Sequence, residues 1–188
     1  MRPLAGSRRI TRRLVVALAV WGILMATTGC GQEAEKKPLA KRQERVAEAI
    51  KAYEEAVSLR PDDARVRAKL GRAYIVAHRY DEAIASLRQA VRLEPGLAPA
   101  HADLGAAYGF QAQWQRAIAS FKEAIRLSPN MVDAHSRLGT TYLAVGDLEG
   151  ALREYKWLET RAPALARDLL QNIDTYKMQR ASLPGPRR

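Results

Sequence analysis

Residues 64–97, ARVRAKLGRAYIVAHRYDEAIASLRQAVRLEPGL, decide the fold, because two further copies of this pattern follow at a constant interval. Each copy carries a Leu-Gly pair, an aromatic residue, an alanine, a large apolar residue and a proline, and the step from one copy to the next is the same at every one of these positions. These positions are Leu70-Gly71, Leu104-Gly105 and Leu138-Gly139; Tyr74, Tyr108 and Tyr142; Ala83, Ala117 and Ala151; Leu87, Phe121 and Tyr155; and Pro95, Pro129 and Pro163. A fixed period of this length indicates a stacked array of one supersecondary unit.

The order of residues within one copy describes two antiparallel amphipathic helices, the second of which is ended by the proline. This pattern resembles the tetratricopeptide repeat, in three full copies at about 64–97, 98–131 and 132–165, without insertions. The resemblance implies an all-α protein, a right-handed α-solenoid of helix-turn-helix repeats. Together with the flanking helices, we predict a repeat domain over residues 39–180.

Two helices are expected to close the array at its ends. The apolar residues Val46, Ile50 and Tyr53 lie on one face of a helix that aligns with the second helix of a repeat, and Leu59 is placed on the same face. No Leu-Gly pair precedes that helix, so the array is predicted to open with a half repeat. A capping helix is predicted over 164–180, followed by a disordered basic tail at 181–188.

Small residues in the repeats have a packing interpretation. We expect Gly71, Gly105 and Gly139 to lie where a neighbouring helix crosses closely, with the alanines at 83, 117 and 151 facing them. The turn between the two helices keeps a Gly-Asp pair only at Gly146-Asp147. His78 and Ala112 stand at the position of Gly146, so two turns lack the residue that tolerates positive φ most easily.

The first thirty residues have the layout of an export signal. An arginine-rich segment is followed by thirteen apolar residues at 14–26 and then by Thr27-Thr28-Gly29-Cys30. The apolar run is shorter than the roughly 20 residues of a spanning helix. A glycine before the cysteine resembles the cleavage box of bacterial lipoproteins, which implies a signal peptide at 1–29, acylation of Cys30 and a tether at 30–38.

An acylated Cys30 would attach the protein to the periplasmic side of the outer membrane of a bacterial envelope. The alternative is an uncleaved signal anchor in the inner membrane, with an incidental cysteine. Thr27 stands where the lipoprotein box most often has leucine, and Gly31, rather than aspartate, follows the cysteine.

Composition disfavours several classes of function. The formal net charge is +11, but the arginines before Cys30 contribute much of it, and elsewhere basic and acidic residues alternate as they do on solvated helices. No nucleic-acid partner is therefore predicted. The single cysteine excludes an intrachain disulfide and a cysteine-rich zinc site. No metal, cofactor or catalytic residue is predicted, and His101 and His135 are interpreted as partly buried packing residues.

The resemblance implies a peptide-binding groove lined by the first helix of each repeat. The groove residues it implies are Arg65, Lys69, Arg72, Ile75, Val76, Asp103, Ala106, Phe110, Arg137 and Thr140. The spacing of Arg65, Lys69 and Arg72 puts three like charges on one helix side. We therefore expect a partner segment that combines acidic residues with one or two large apolar ones.

The family's carboxylate clamp requires lysine and asparagine where Ala68, Asp103 and Asp133 stand. Our principal hypothesis is a non-enzymatic adaptor, tethered to the membrane, which serves a secretion, pilus or outer-membrane assembly component. Two alternatives remain open: a self-associating structural protein, which would form homo-oligomers, and an anchored regulatory subunit of an envelope enzyme. Glu54, Glu55 or Asp103 could also neutralise the basic cluster from within the chain.

Overall fold

The computed structural model describes residues 41–182. The predicted signal peptide, Cys30, the tether and residues 183–188 of the predicted tail lie outside the described residues. By its contacts the chain divides into two units, Met1–Arg45 and Val46–Arg188, and the repeats belong to the second. Within residues 41–182, no helix has both the length and the apolar character that a membrane span requires.

Eight helices and no strand are found in this part of the chain, so the predicted all-α fold is confirmed. The first helices of the three repeats begin at Ala64, Ala98 and Val132, which keeps the step of the sequence pattern. The helices are α1 (41–59), α2 (Ala64–Val76), α3 (Tyr80–Leu93), α4 (Ala98–Phe110), α5 (Trp114–Leu127), α6 (Val132–Ala144), α7 (Leu148–Arg161) and α8 (Pro163–Ser182). The pairs α2–α3, α4–α5 and α6–α7 are the three full repeats, preceded by α1 and followed by α8.

Proline and aspartate residues set several helix ends. The second helices α3, α5 and α7 each end just before the repeated proline, as predicted. Asp63 caps α2, because its Oδ1 accepts hydrogen bonds of 3.0 Å from the amides of Arg65 and Val66. The prediction for Leu59 is wrong: it is 75% exposed, because the helix rotates it about 200° away from Val57.

A repeated hydrogen bond joins each first helix to the turn before it. Arg67 Nε donates to the carbonyl of Pro61 at 2.7 Å, and His101 Nε2 donates to that of Pro95 at 3.0 Å. His135 Nε2 makes the same bond to Pro129 at 3.1 Å. The repeat proline thus ends one helix and gives its carbonyl to the next repeat.

The glycines of the Leu-Gly pairs make close contacts, but not with the predicted alanines. A Cβ atom at Gly71 would lie 2.5 Å from Leu87 Cγ, and one at Gly139 would lie 2.6 Å from Leu169 Cδ2. The glycine therefore makes room for a large side chain, because that side chain occupies the space where a Cβ would project. The alanines at 83, 117 and 151 are fully buried, but they are not the nearest neighbours of the glycines.

The turns inside the three repeats share one left-handed residue. Gly146 has φ +80°, whereas His78 and Ala112 adopt φ 59° and 55°. The first two turns therefore keep the conformation of the third without its glycine. Backbone strain is therefore present at Ala112, where a Cβ atom opposes the left-handed conformation.

We expect Ala112→Gly to raise the free energy of unfolding by about 0.5 kcal/mol, since relief of the strain exceeds the entropy that glycine adds to the unfolded chain. Gly146→Ala is the reverse change, and it should lower stability because the new Cβ would also lie 3.1 Å from the Tyr176 hydroxyl. Urea denaturation followed by circular dichroism measures both changes. Equal midpoints for the parent, Ala112→Gly and Gly146→Ala would contradict this account.

Helix α8 covers the end of the last repeat. Leu169 and Ile173 are 1% and 0% exposed, and Leu169 fills the space beside Gly139 that Leu87 fills beside Gly71. The charged and amide residues assigned to its outer side, Arg167, Asp168, Gln171, Lys177 and Gln179, are all exposed. The helix is longer than the predicted 164–180 and extends over Pro163–Ser182.

Candidate functional site

A pocket of about 190 Å³ lies between the first helices of repeats one and two. Three of the predicted groove cations, Arg65, Lys69 and Arg72, project into it from α2, and the predicted groove residue Asp103 faces them from α4. The remaining lining residues are Ala68, Leu97 and Pro99. The structure therefore brings together four of the ten residues that the sequence assigned to the groove.

The cations of this pocket are neutralised to different extents. Arg72 Nε donates to Asp103 Oδ2 at 2.9 Å, and Arg65 Nε lies 3.6 Å from Glu94 Oε2. Within the described part of the chain, no carboxylate oxygen lies within 4.0 Å of Lys69 Nζ. Because both arginine side chains are more than half exposed, these ion pairs exchange readily with a charged ligand.

The basic cluster is thus neutralised partly by one of the three acids named from the sequence. Asp103 pairs with Arg72, as one alternative held, but Glu54 instead accepts a 2.6 Å hydrogen bond from the Tyr74 hydroxyl. The carboxylate near Arg65 is that of Glu94, which was not predicted from the sequence. Glu94 ends the second helix of the repeat that Arg65 opens, so no local spacing signals the pairing.

Asp103 is a carboxylate of the pocket lining whose pKa is shifted. Burial raises its pKa above the usual value for aspartate, although the hydrogen bond from Arg72 and its charge act in the opposite direction. The folded state therefore favours the protonated acid, and at neutral pH the ionised Asp103 is held at a cost in stability that disappears as the pH falls. Carboxylates with shifted pKa values occur both at functional sites and in structural ion pairs such as Arg72–Asp103.

Apolar groove residues extend from the charged pocket toward the turns. Val76 is 45% exposed and Phe110 is 55% exposed, whereas Ile75 is half-buried against the core. The Phe110 ring stacks on Tyr80, with the centroids 5.0 Å apart and an interplanar angle of 15°. Tyr80 was missed by sequence reasoning because it opens the second helix of its repeat, outside the positions that define the groove.

The groove positions of the third repeat do not join this pocket. Arg137 Nε donates to Asp133 Oδ2 at 2.8 Å, one turn away on its own helix. Thr140 Oγ1 donates to the carbonyl of Arg137. Ala106 is half-buried, and its methyl side chain carries no polar group. The pocket is therefore lined by the first two repeats, although the charges of Arg137 and Asp133 on α6 still act on the Asp103 carboxylate.

The two equivalent histidines have different surroundings. His135 is 6% exposed; its Nδ1 lies 2.6 Å from Glu154 Oε2, within hydrogen-bond distance, and its ring stacks on Trp157 with the centroids 3.5 Å apart. His101 is half-buried, because Ser120 and Glu123 stand where the third repeat has Glu154 and Trp157. In residues 41–182 no group of three or more potential metal ligands converges.

Comparison with known families identifies the repeats. One family model described as tetratricopeptide repeat matches residues 40–108, and a second, described as TPR repeat, matches residues 111–146. The chain belongs to the tetratricopeptide repeat proteins. No curated protein sequence matches it significantly.

Solved structures of other proteins share the fold. A crystal structure of MamA superposes with a TM-score of 0.61 at 23% identity, covering 76% of this chain and 95% of that one. TTC0263, a thermophilic TPR protein in Thermus thermophilus, has a TM-score of 0.61 at 25% identity, with 73% and 75% covered. The first TPR of Spaghetti (RPAP3), bound to the HSP90 peptide SRMEEVD, has a TM-score of 0.57 at 24% identity, with 60% and 91% covered.

These comparisons place the chain in a class of interaction modules. Tetratricopeptide repeats form protein–protein interaction scaffolds, and the fold is typically used for binding rather than for catalysis. The pocket on α2 and α4 is accordingly considered as a binding surface for a protein segment.

Proposed function

We propose that this protein is an adaptor of the bacterial cell envelope that binds an acidic segment of a partner protein between α2 and α4. The observation that carries the proposal is the arrangement of Arg65, Lys69 and Arg72 around one pocket, with Lys69 lacking a carboxylate within the described chain. The partner segment carries aspartate or glutamate beside one or two large apolar residues.

The charges of the pocket favour such a ligand. Three cations on one side of α2 repel one another, and an acidic segment relieves this repulsion while it competes for the exposed ion pairs of Arg65 and Arg72. Each rim contact contributes about 0.5 to 1 kcal/mol. Asp103 restricts the orientation of the segment, since the ligand's carboxylates must bind on the side of Lys69, away from this acid.

The exposed apolar residues supply the second part of the specificity. Val76 and the stacked pair Phe110–Tyr80 lie toward the turns of α2 and α4 and can bury a large apolar side chain of the ligand. An aromatic stack at the surface is a rigid platform with little side-chain entropy left to lose on binding. The proposed ligand therefore runs from the cationic pocket to this platform.

The peptide complex of the Spaghetti (RPAP3) repeat supports the mode of binding. Its peptide, SRMEEVD, contains acidic residues, and it shows that a TPR domain of this fold holds an acidic segment. The same carboxylate clamp is not proposed here, because Ala68, Asp103 and Asp133 replace the clamp's lysine and asparagine positions. The three cations that line the pocket, Arg65, Lys69 and Arg72, all belong to α2.

We expect the triple variant Arg65, Lys69, Arg72→Ala to bind the partner at least tenfold more weakly at low ionic strength. Three rim contacts of the strength given above correspond to about that factor or more. Partners captured from solubilised envelopes by the full chain are identified by mass spectrometry, and binding is then measured at low and high salt. The parent should lose affinity as salt screens the charges, and the triple variant should respond much less.

A matched control is Arg153→Ala, which removes one exposed cation from α7, remote from the groove. It should bind the partner as the parent does. Equal affinities for the parent and the triple variant at both salt concentrations would exclude the cationic pocket from the mechanism.

Attachment to the envelope is supported by the sequence of the first thirty residues. The arginine-rich start, the apolar run at 14–26 and Gly29-Cys30 are consistent with a lipoprotein signal. Each methylene of an acyl chain adds about 0.8 kcal/mol of membrane affinity, so two or more chains on Cys30 would make attachment durable. We place the anchored protein on the periplasmic side of the outer membrane.

Intact-mass measurement of the membrane-extracted protein should give residues 30–188 plus lipid. Cys30→Ser is expected to block processing or release the protein, because serine offers no thiol for acylation. Recovery of the full chain from Met1 with an unmodified thiol would refute lipidation and favour the uncleaved signal anchor in the inner membrane.

A further inference from the structure

A second cavity, of about 420 Å³, opens between the second helices of repeats one and two. Leu104 and Tyr108 of α4 are buried residues of its lining, whereas Asp103 and Pro99 of the same helix line the pocket described above. The lining is completed by Arg88 and Val91 of α3 and by Arg116, Ala119 and Ser120 of α5. This α3–α5 cleft therefore lies on a different side of the repeats from the proposed groove.

One repeat earlier, Tyr74 occupies the position that Tyr108 has in this cleft, and the contacts of Tyr74 show what a tyrosine at this position binds. There the Tyr74 hydroxyl donates to Glu54 Oε1 at 2.6 Å. Arg79 lies over the same ring at 4.6 Å and bonds Glu82 Oε1 at 2.9 Å. Burial and this carboxylate together raise the pKa of Tyr74 to about 12, because both disfavour the ionised hydroxyl. In the first repeat, Tyr74 and Arg79 thus each form a hydrogen bond with a carboxylate from within the chain.

In the α3–α5 cleft both acids are replaced by arginine. Arg88 is the counterpart of Glu54, Arg116 that of Glu82, and Tyr108 that of Tyr74, each exactly one repeat further along the chain. Arg116 donates to Gln113 Oε1 at 2.7 Å, and its guanidinium carbon lies 5.8 Å from the centre of the Tyr108 ring. Among residues 41–182, no carboxylate oxygen lies within 4.0 Å of either guanidinium.

The replacement turns an internally satisfied site into a cationic one. A change of two acids into two arginines reverses the charge around a buried tyrosine while the apolar lining of Val91, Leu104 and Ala119 is kept. Arginine offers a planar fork of donors that matches a carboxylate, so two of them at one cleft favour a ligand of that shape and charge.

We propose that the α3–α5 cleft is a second binding site, which accepts a carboxylate side chain from an acidic segment of a partner protein. The incoming carboxylate takes the role that Glu54 has beside Tyr74, and it pairs with Arg88 and Arg116. The site is separate from the groove between α2 and α4, so the protein presents two anion-binding surfaces on the same pair of repeats. Such an arrangement suits an adaptor that engages two acidic segments at once.

The test uses the full chain in mild detergent, with isotope-labelled arginine and tyrosine, and the capped peptide acetyl-Ser-Leu-Glu-Glu-Leu-Ser-amide as the probe. We expect the side-chain signals of Arg88, Arg116 and Tyr108 to shift saturably as the peptide is added. Arg88→Glu should weaken binding at this cleft at least tenfold, since it restores a carboxylate in the position of Glu54 and fills the site from within. Arg116→Glu should act in the same direction.

Two controls separate this site from the groove and from general charge. Arg153→Glu changes the net charge by the same amount on α7 and should leave the cleft signals as in the parent. The groove variant Arg65, Lys69, Arg72→Ala should also leave them unchanged, so that failure of the groove proposal and failure of this one are distinguished.

Two results would overturn the proposal. One is that the peptide moves no cleft signal, or moves the signals of Tyr108 and Arg116 equally in the parent and in Arg88→Glu. The other is that inorganic phosphate or phosphatidylglycerol vesicles move the cleft signals while the peptide does not, which would assign the cleft to a phosphate or a lipid surface.

Discussion

Gly105→Leu is expected to unfold the repeat array, whereas Gly109→Ala, one turn further along the same helix, is expected to stabilise it. A Cβ atom at Gly105 would lie 2.8 Å from both Cδ1 and Cε1 of Phe121. The Phe121 ring is 2% exposed, so it cannot swing into solvent to avoid the clash. Overpacking of this kind costs about 3 kcal/mol or more for a branched side chain, a large part of the stability of a small domain.

Gly109 provides the matched control because nothing lies within 4 Å of the place where its Cβ would be. Replacement by alanine there should raise stability by about 0.5 kcal/mol through helix propensity alone. Thermal and urea melts of the two variants, followed by circular dichroism, measure the difference. If Gly105→Leu melts as the parent does, the contact between α4 and Phe121 and the repeat register are both wrong.

The second large effect is expected at His135. His135→Ala should lower the free energy of unfolding by about 2 to 4 kcal/mol, because it opens a cavity beside Trp157 and leaves a nearly buried carboxylate without its partner. The side chain of Glu154 is only 15% exposed, and its Oε2 lies 2.6 Å from His135 Nδ1. The loss should be partly recovered in His135→Ala combined with Glu154→Ala, which removes the orphaned charge.

His101→Ala tests whether this cost belongs to the histidine position or to the contacts with Glu154 and Trp157 that His135 makes. His101 makes the same bond to a proline carbonyl, but Ser120 stands in the place of Glu154. We expect it to cost about 1 kcal/mol or less, the net value of one partly exposed hydrogen bond. Equal losses of unfolding free energy for the two single variants in urea denaturation would show that neither Glu154 nor Trp157 adds to the stability that His135 provides.

Periodicity was sufficient to predict the positions of the helices. The repeated proline and the constant step between copies predicted where α2, α4 and α6 begin, and alignment with Gly146 located the turns at His78 and Ala112. Such features depend on backbone conformation, which neighbouring residues along the chain determine.

Side-chain partners could not be predicted in the same way. Alignment placed Gly105 at a close crossing but did not identify Phe121 as the side chain that fills it. The pairs His135–Glu154 and Arg65–Glu94 join residues on different helices, and their formation depends on the rotation between packed helices. The candidate groove residues were similarly named by position, while the exposure of Lys69 and the burial of Asp103 required the packed structure.

The contact between α8 and Gly139 has a consequence for how this chain can change in length. In the first two repeats the space beside the glycine is filled by Leu87 and Phe121 of the repeat's own second helix, but in the third it is filled by Leu169 of the cap. A duplication of one whole repeat, inserted between repeats, would reproduce every such contact, whereas one inserted after residue 165 would have to displace Leu169. The array is therefore closed by α8 after its last repeat, and its binding surface can lengthen by duplication of a repeat within the array.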